Sequence, residues 1–197
     1  MRRFRLWLFA RILVLVVVSA LPARAGGGGD AAAEAFVRAL SEDFALSAAR
    51  AQADPGAARD AVMAIFARAF DMRSMALSAL PEAFRDRADA GYVAAYTDHM
   101  ADAFVAETLA GGAGTTEILG SRVQGARLVL VGTRVISADG QRQSVEWYLT
   151  PVTGGYRVIN AAVSGVLVTA EQARDFRPHL ISGDMPGLMT HLGGGHG

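Results

Sequence analysis

Residues 115–168 read TTEILGSRVQGARLVLVGTRVISADGQRQSVEWYLTPVTGGYRVINAAVSGVLV. This stretch is rich in Val, Ile, Leu, Thr and aromatic residues, the composition typical of β-strands. Three pairs divide it, Gln124-Gly125, Asp139-Gly140 and Gly154-Gly155, and pairs of this kind favour hairpin turns. The pattern predicts an antiparallel sheet of about four strands over residues 115–123, 127–137, 143–151 and 155–168.

Helical patterns lie before and after the predicted strands. Asp30 can cap a first helix, and Asp54-Pro55 is a typical helix start with an acidic N-cap and proline at the first helical position. The predicted helices cover residues 31–53, a segment from 55 onward, 71–80 (broken or restarted by Pro81), 88–110, 169–180 and 184–192. Helices grouped around a strand cluster indicate an α+β domain, a curved sheet with helices packed on one side.

The N-terminus has the features of an export signal. Arg2, Arg3 and Arg5 precede an apolar run over residues 6–20, and Ala23-Arg24-Ala25 is a typical cleavage site. A retained membrane anchor is the alternative, but the uninterrupted apolar part is far shorter than a membrane-spanning helix. We therefore predict a cleaved signal peptide over residues 1–25, a single domain over 26–192 and a flexible tail over 193–197. The predicted location is outside the cytoplasm, in the cell envelope or beyond it.

Charge and composition exclude several classes of function. All 19 basic residues are arginine, and the predicted signal removes five of them, which leaves 14 basic against 19 acidic residues. An acidic chain without a basic run does not favour binding to nucleic acid or to anionic membranes. The chain has no cysteine, so thiol nucleophiles and thiolate metal sites are excluded. His191 and His196 lie in a glycine-rich end that we expect to be frayed, and we predict no metal site.

Sequence motifs for catalysis are missing. Neither G-x-S-x-G nor H-E-x-x-H occurs. Asp98, His99 and Asp102 form a compact group of acids and imidazole, but they lie on the polar side of the long predicted helix. Their spacing predicts a solvated face with ion pairs. The apolar side of the same helix and of the first two helices is rich in aromatic residues and Met, which form either an ordinary core or the wall of a cavity.

One segment and the last third of the chain resemble a known family. Residues 70–85 read FDMRSMALSALPEAFR and resemble F-D-x-x-x-M-A-x-x-x-L-G-x-x-W-R of the MlaC family, the toluene-tolerance-type auxiliary proteins of a lipid ABC transporter. Further matches in the same order are Tyr156-Arg157-Val158, Gly165-Val166, Arg174, Phe176, Gly187-Leu188 and Leu192. Departures from the family pattern are Pro81 for Gly, Phe84 for Trp, Asn160 for Asp, Ser164 for Glu and Leu167 for Ser.

The resemblance implies a periplasmic phospholipid carrier with a fold similar to nuclear-transport-factor-like domains. It implies no catalysis and no cofactor, with bound phospholipid as cargo. The partners would be an inner-membrane lipid ABC transporter complex and an outer-membrane lipoprotein complex, and the carrier itself a monomer. The candidates for lining an apolar pocket around the lipid tails are Val62, Ile65, Phe66, Phe70, Met75, Tyr96, Met100, Phe104, Trp147, Leu149, Val158 and Val163.

Several alternatives remain open at this point. Arg85 and Arg174 are candidates for contacts to a headgroup or partner, or they form surface ion pairs. The ligand could be a hopanoid or another apolar molecule. An isomerase or dehydratase is a second class of function, because similar folds host such enzymes. Asp71 with Tyr96 is the candidate acid–base pair, although Asp71 could instead cap the next helix. A third class is an adaptor that binds only proteins.

Overall fold

The computed structural model describes residues 29–111, 114–137 and 140–194. The predicted signal peptide and His196 lie outside these residues. The helices are α1 (Ala31–Ala51), α2 (Pro55–Ala69), α3 (Met72–Ser78), α4 (Glu82–Arg85), α5 (Ala90–Gly111) and α6 (Val168–Gly193). The strands are β1 (Thr115–Val123), β2 (Val129–Ile136), β3 (Arg142–Val152), β4 (Gly155–Val163) and β5 (Val166–Leu167).

Two of the three long helices that precede the sheet begin where the sequence predicts. The Asp30 carboxylate accepts a hydrogen bond from the Ala33 backbone N–H at 3.0 Å, and Asp54 accepts one from Ala57 at 2.9 Å. These side chains satisfy backbone donors that a helix N-terminus otherwise leaves unpaired. Asp30 also accepts from the Tyr156 hydroxyl at 2.6 Å, which joins the start of α1 to the sheet and lowers the pKa of the Asp30 carboxyl.

The strands form one antiparallel sheet in the order β1-β2-β3-β4-β5. The sheet has five strands and not four, because the predicted last strand turns back on itself at Ser164 and Gly165. Both residues have positive φ, at 50° and 83°, so the chain reverses and β5 pairs with the end of β4. Irregular register near Gly120 in β1 and between β3 and β4 accompanies the curvature of the sheet.

The main core lies between the helices and one face of the sheet. Val129, Val131, Leu149 and Val158 point from the sheet into this core, because alternate residues of a strand share a face. Helix α2 packs between α1 and α5, while α6 packs against α5 and β4. This arrangement confirms the α+β class predicted from the sequence.

The C-terminal helices form one helical run with a kink. Asp184 has φ 57° and ψ −155°, which divides α6 where the sequence predicts a break between two helices. The run continues to Gly193, the first residue of the predicted tail. His191 is half-buried within α6, and the expectation of a frayed end at this residue was wrong because α6 packs there against α5. Among the helices described, none is both long and apolar enough to span a bilayer.

Candidate functional site: an apolar cavity

The helices do not close completely on the sheet. A partly open cavity of about 310 Å³ remains between α1, α5 and the strands. Its volume is at the lower end of the range of roughly 300–1,000 Å³ that is common for ligand pockets. The helical wall consists of Ser41, Phe44, Ala45, Ala48, Phe66, Phe70, Met75, Met100, Ala103, Phe104, Glu107, Thr108 and Val168. The sheet and its adjoining loops contribute Gly114, Thr116, Val135, Ser137, Gln143, Val145, Trp147, Ala161 and Val163.

Aromatic rings form much of the helical wall. The ring centroids of Phe44 and Phe104 lie 4.8 Å apart, those of Phe66 and Phe70 lie 5.1 Å apart, and Phe44 is 6.0 Å from Phe70. Distances in this range are typical of stabilising aromatic contacts. These rings come from α1, from α5, from the last turn of α2 and from Phe70 directly after it, so they connect three helices around the cavity.

Polar groups next to this wall are hydrogen-bonded within the protein. The Trp147 indole N–H donates to the Thr133 hydroxyl at 3.1 Å, so the ring lines the cavity with its polar atom satisfied. Gln172 accepts from the Tyr96 hydroxyl at 2.7 Å and lies 2.6 Å from the Met100 sulfur. Burial raises the pKa of Tyr96, which therefore remains a neutral hydrogen-bond donor.

The cavity has one apolar and one polar end. Met75, Phe70 and Trp147 belong to the apolar part, whereas Glu107 and Thr108 come from the last turns of α5. Other polar residues at the α5–β1 end of the cavity are Thr116, Ser137 and Gln143. A cavity with this distribution can enclose an apolar chain and hold a polar group at its polar end.

Seven of the twelve predicted lining residues line this cavity: Phe66, Phe70, Met75, Met100, Phe104, Trp147 and Val163. The other five lie in the closed core and not in its wall: Val62, Ile65, Tyr96, Leu149 and Val158. The reason is geometric, because the apolar face of a helix or strand is longer than the cavity. Part of each face packs against other elements, and hydrophobic spacing does not distinguish the two parts.

The sequence prediction missed mainly small and polar lining residues. Ser41, Ala45 and Ala48 recur at helical spacing in α1 and form the side of that helix next to the cavity. The sequence prediction selected large apolar residues, whereas small side chains leave the space that forms a cavity. A run of small residues beside an aromatic stripe is the sequence signal that would have found them.

The two predicted arginines lie away from the cavity wall. Arg85 is exposed, and its Nε donates to the Leu80 carbonyl at 3.3 Å. Arg174 is also exposed and forms an ion pair with Glu171 at 2.5 Å. A surface ion pair is one of the two roles that the sequence allows for Arg174.

The candidate acid–base pair is not assembled. Both oxygens of Asp71 accept hydrogen bonds from Ser74, from its backbone N–H at 2.9 Å and its hydroxyl at 2.7 Å. Asp71 is therefore the N-cap of α3, while the Tyr96 hydroxyl donates to Gln172. Neither residue lines the cavity.

The acid–imidazole group on α5 also has a structural explanation. Asp98 and Asp102 form ion pairs with Arg59 of α2, at 2.6 and 2.7 Å. His99 instead faces α6, where its ring centroid is 5.8 Å from that of His191. The His191 ring stacks on His179 at 3.9 Å. In the described part of the chain, no three potential ligands are placed to hold a metal ion.

A curved sheet, helices on one of its faces and an apolar cavity between them characterise a small α+β domain of the ligand-enclosing type. Comparison with family models matches residues 34–193 to the model described as MlaC protein. The chain belongs to the MlaC family, as the resemblance of its motifs predicts.

The fold of this chain also occurs in a solved structure. A solved structure of a phospholipid-binding protein from Ralstonia solanacearum, in complex with a phospholipid, is similar with a TM-score of 0.65 and 16% sequence identity. The similarity covers 84% of this chain and 97% of the other. At this identity it shows a shared fold. Comparison with curated proteins gives no match.

Proposed function

We propose that this protein is a periplasmic phospholipid carrier, exported by the segment 1–25, and that it encloses lipid tails in the cavity. The observation that carries this proposal is the apolar cavity between α1, α5 and the sheet in a chain of the MlaC family. The phospholipid bound to the similar Ralstonia solanacearum protein supports it. In this proposal the carrier moves lipid between an outer-membrane lipoprotein complex and an inner-membrane ABC transporter complex.

The energetics of lipid tails explain why a carrier must enclose them. Two acyl chains with about 30 methylenes transfer from water with about 24 kcal/mol of gross free energy. Spontaneous release into water is therefore very slow. Transfer requires a docked partner that offers a second apolar site before the tails leave the first.

The cavity must widen to accept two tails, since its volume is at the lower end for ligand pockets. Its wall supports such a change. Met75 and Met100 have flexible side chains that repack around different shapes, and Phe44 and Phe104 are only partly buried. A hopanoid or another apolar ligand is an alternative cargo for the same wall.

An enzyme is the less favoured class of function. Asp71 caps α3, and the Tyr96 hydroxyl is bonded to Gln172, so the two groups considered for acid–base chemistry have structural partners. The apolar character of the wall around Met75, Phe70 and Trp147 favours carriage over proton transfer.

The proposal is tested by filling the cavity from within. Ala103 lines the cavity on α5, whereas Ala106 of the same helix is exposed. We expect Ala103→Phe to reduce the phospholipid that copurifies with the protein several-fold, because the added ring occupies the space of a tail. The measurement is organic extraction of protein from the periplasm, followed by mass spectrometry of lipid per protein.

Ala106→Phe is the matched control, because it adds the same ring on the outer side of α5. It should retain the lipid content of the wild type. Wild-type protein without phospholipid above background would overturn the proposed function. Equal lipid content in the Ala103→Phe and Ala106→Phe variants would contradict the assignment of this cavity.

A further inference from the structure

Glu107 is the one ionisable side chain among the described residues that line the cavity. It lies in the last turns of α5, at the polar end of the cavity, and is partly buried. Within the described residues its carboxylate forms no hydrogen bond or ion pair, and burial alone accounts for the raised pKa of this group. A carboxylate that loses water without gaining a partner is costly, unless a ligand supplies a positive charge.

The backbone around Glu107 favours a cation as well. Helix α5 ends at Gly111, four residues further on, and its last turn contains no basic residue. The carbonyl groups at a helix C-terminus carry a partial negative charge. The Glu107 carboxylate and the end of α5 therefore both make this end of the cavity more negative, which favours a cation.

Arginines near this end belong to other surfaces. Arg142 directly precedes Gln143, which lines the cavity, so Arg142 points to the opposite face of the sheet. Arg134 lies on that opposite face too and pairs with Glu117 at 2.8 Å. The described lining contains no arginine, so the wall itself offers no cationic side chain to an anionic headgroup.

We propose that Glu107 makes the cavity selective for phospholipids whose headgroup carries an ammonium group, over phospholipids whose headgroup is only anionic. This inference rests on the proposed function. The tails occupy the apolar part of the cavity, and hydroxyl groups such as those of Thr108 and Ser137 lie beside the glycerol and phosphate region. The ammonium group then pairs with the Glu107 carboxylate at the polar end of the cavity.

The test is a competition between two lipids. Delipidated protein is incubated with vesicles of equal parts phosphatidylethanolamine and phosphatidylglycerol, isolated again, and its bound lipids are quantified by mass spectrometry. Wild-type protein should be enriched in phosphatidylethanolamine by about threefold to tenfold, the size expected of a partly screened, charge-assisted hydrogen bond. Glu107→Gln, which keeps the shape of the side chain, should bind a similar amount of lipid at nearly the ratio of the vesicles.

Glu42→Gln is the matched control, because it removes the same charge from an exposed position on α1. It should keep the wild-type ratio. The inference is overturned if wild-type protein binds both lipids at the vesicle ratio, if Glu107→Gln keeps the enrichment, or if Glu42→Gln abolishes it equally. Wild-type protein that takes up neither lipid would contradict the proposed function itself, which is a different outcome.

Discussion

Single side chains in this protein have roles that their types alone do not determine. Asp30, Asp54 and Asp71 each precede a helix and accept a hydrogen bond from its first turn. Sequence position identified the first two as caps, because a capping residue followed by a helical pattern is a strong local signal. Asp71 could also have been a catalytic acid, and only the two bonds from Ser74 favour the structural role.

Gly187 packs closely against the backbone of His179, and a substitution there tests this packing. A Cβ atom at this position would lie 2.7 Å from the His179 backbone oxygen, closer than the protein can accept without movement. We expect Gly187→Ala to lower the free energy of unfolding by about 1–3 kcal/mol, as overpacking typically does. The measurement is the midpoint of urea unfolding.

Gly193→Ala serves as the control, because a Cβ atom there would meet nothing within 4 Å. Its stability should equal that of the wild type or exceed it slightly, since alanine favours the helix. An unchanged midpoint for Gly187→Ala would show that the two halves of α6 separate easily at the kink.

Pairs of elements in this fold are joined by groups that lie far apart in the sequence. Arg59 of α2 forms ion pairs with Asp98 and Asp102 of α5. Tyr156 of β4 donates a hydrogen bond to Asp30, which precedes α1. Helical spacing predicts that Asp98 and Asp102 share a face, but it does not predict which helix supplies the arginine. The contact between α5 and α6 depends in the same way on histidines from both helices.

The α5–α6 contact should weaken in mild acid. Burial, together with His179 and His99, lowers the pKa of His191 to about 4 from an ordinary value of 6.5. Between these values the unfolded chain binds a proton that the folded protein does not, so the free energy of unfolding falls as the pH decreases from 6.5 towards 4. Between pH 7 and pH 5, the free energy of unfolding measured in urea should therefore fall more for wild-type protein than for His191→Gln.

The comparison with His191→Gln isolates this one group, because the carboxylates titrate in both proteins. Equal losses of stability between pH 7 and pH 5 in the two proteins would contradict the role of His191. A larger loss in the variant would show that glutamine disturbs the packing of α6 on α5.

The whole molecule combines a closed core with a cavity on the same side of one sheet. Val62, Ile65 and Tyr96 lie in the core away from the cavity, whereas Phe66 belongs to the core and also lines the cavity, together with Met100. The cavity leaves apolar surface that a bound ligand would cover. We therefore expect bound cargo to raise the free energy of unfolding of the whole domain.

This linkage gives a prediction for thermal unfolding. A ligand present at about one hundred times its dissociation constant stabilises the folded state by about 2.7 kcal/mol. For a domain of this size we expect lipid-loaded protein to unfold about 5–10 °C above delipidated protein. The measurement is differential scanning calorimetry before lipid removal, after it, and after reloading from vesicles.

Reloading is the control for damage during delipidation, since it should restore the higher unfolding temperature. Identical unfolding temperatures for protein with and without measured bound lipid would contradict binding in the cavity. The Ala103→Phe variant should show little difference between the two states, because its cavity is already filled.

Local sequence patterns were enough to predict the order and kind of the long helices and of the first four strands. Composition, turn pairs and helix caps predict helices before and after an antiparallel sheet, because these signals act between residues a few positions apart. The turn at Ser164 and Gly165, which creates β5, was missed although the same kind of signal marks it. The family followed from motifs spread along the chain, and the match over residues 34–193 confirms it.

Which apolar residues lie in the core away from the cavity and which line the cavity depends on how the elements pack together. Phe66 and Ile65 are neighbours on one helix, yet the first lines the cavity and the second does not. That difference depends on where small residues of α1 and α5 leave space against the sheet. Such space arises from several elements packed together, so the hydrophobic periodicity of one element does not predict it.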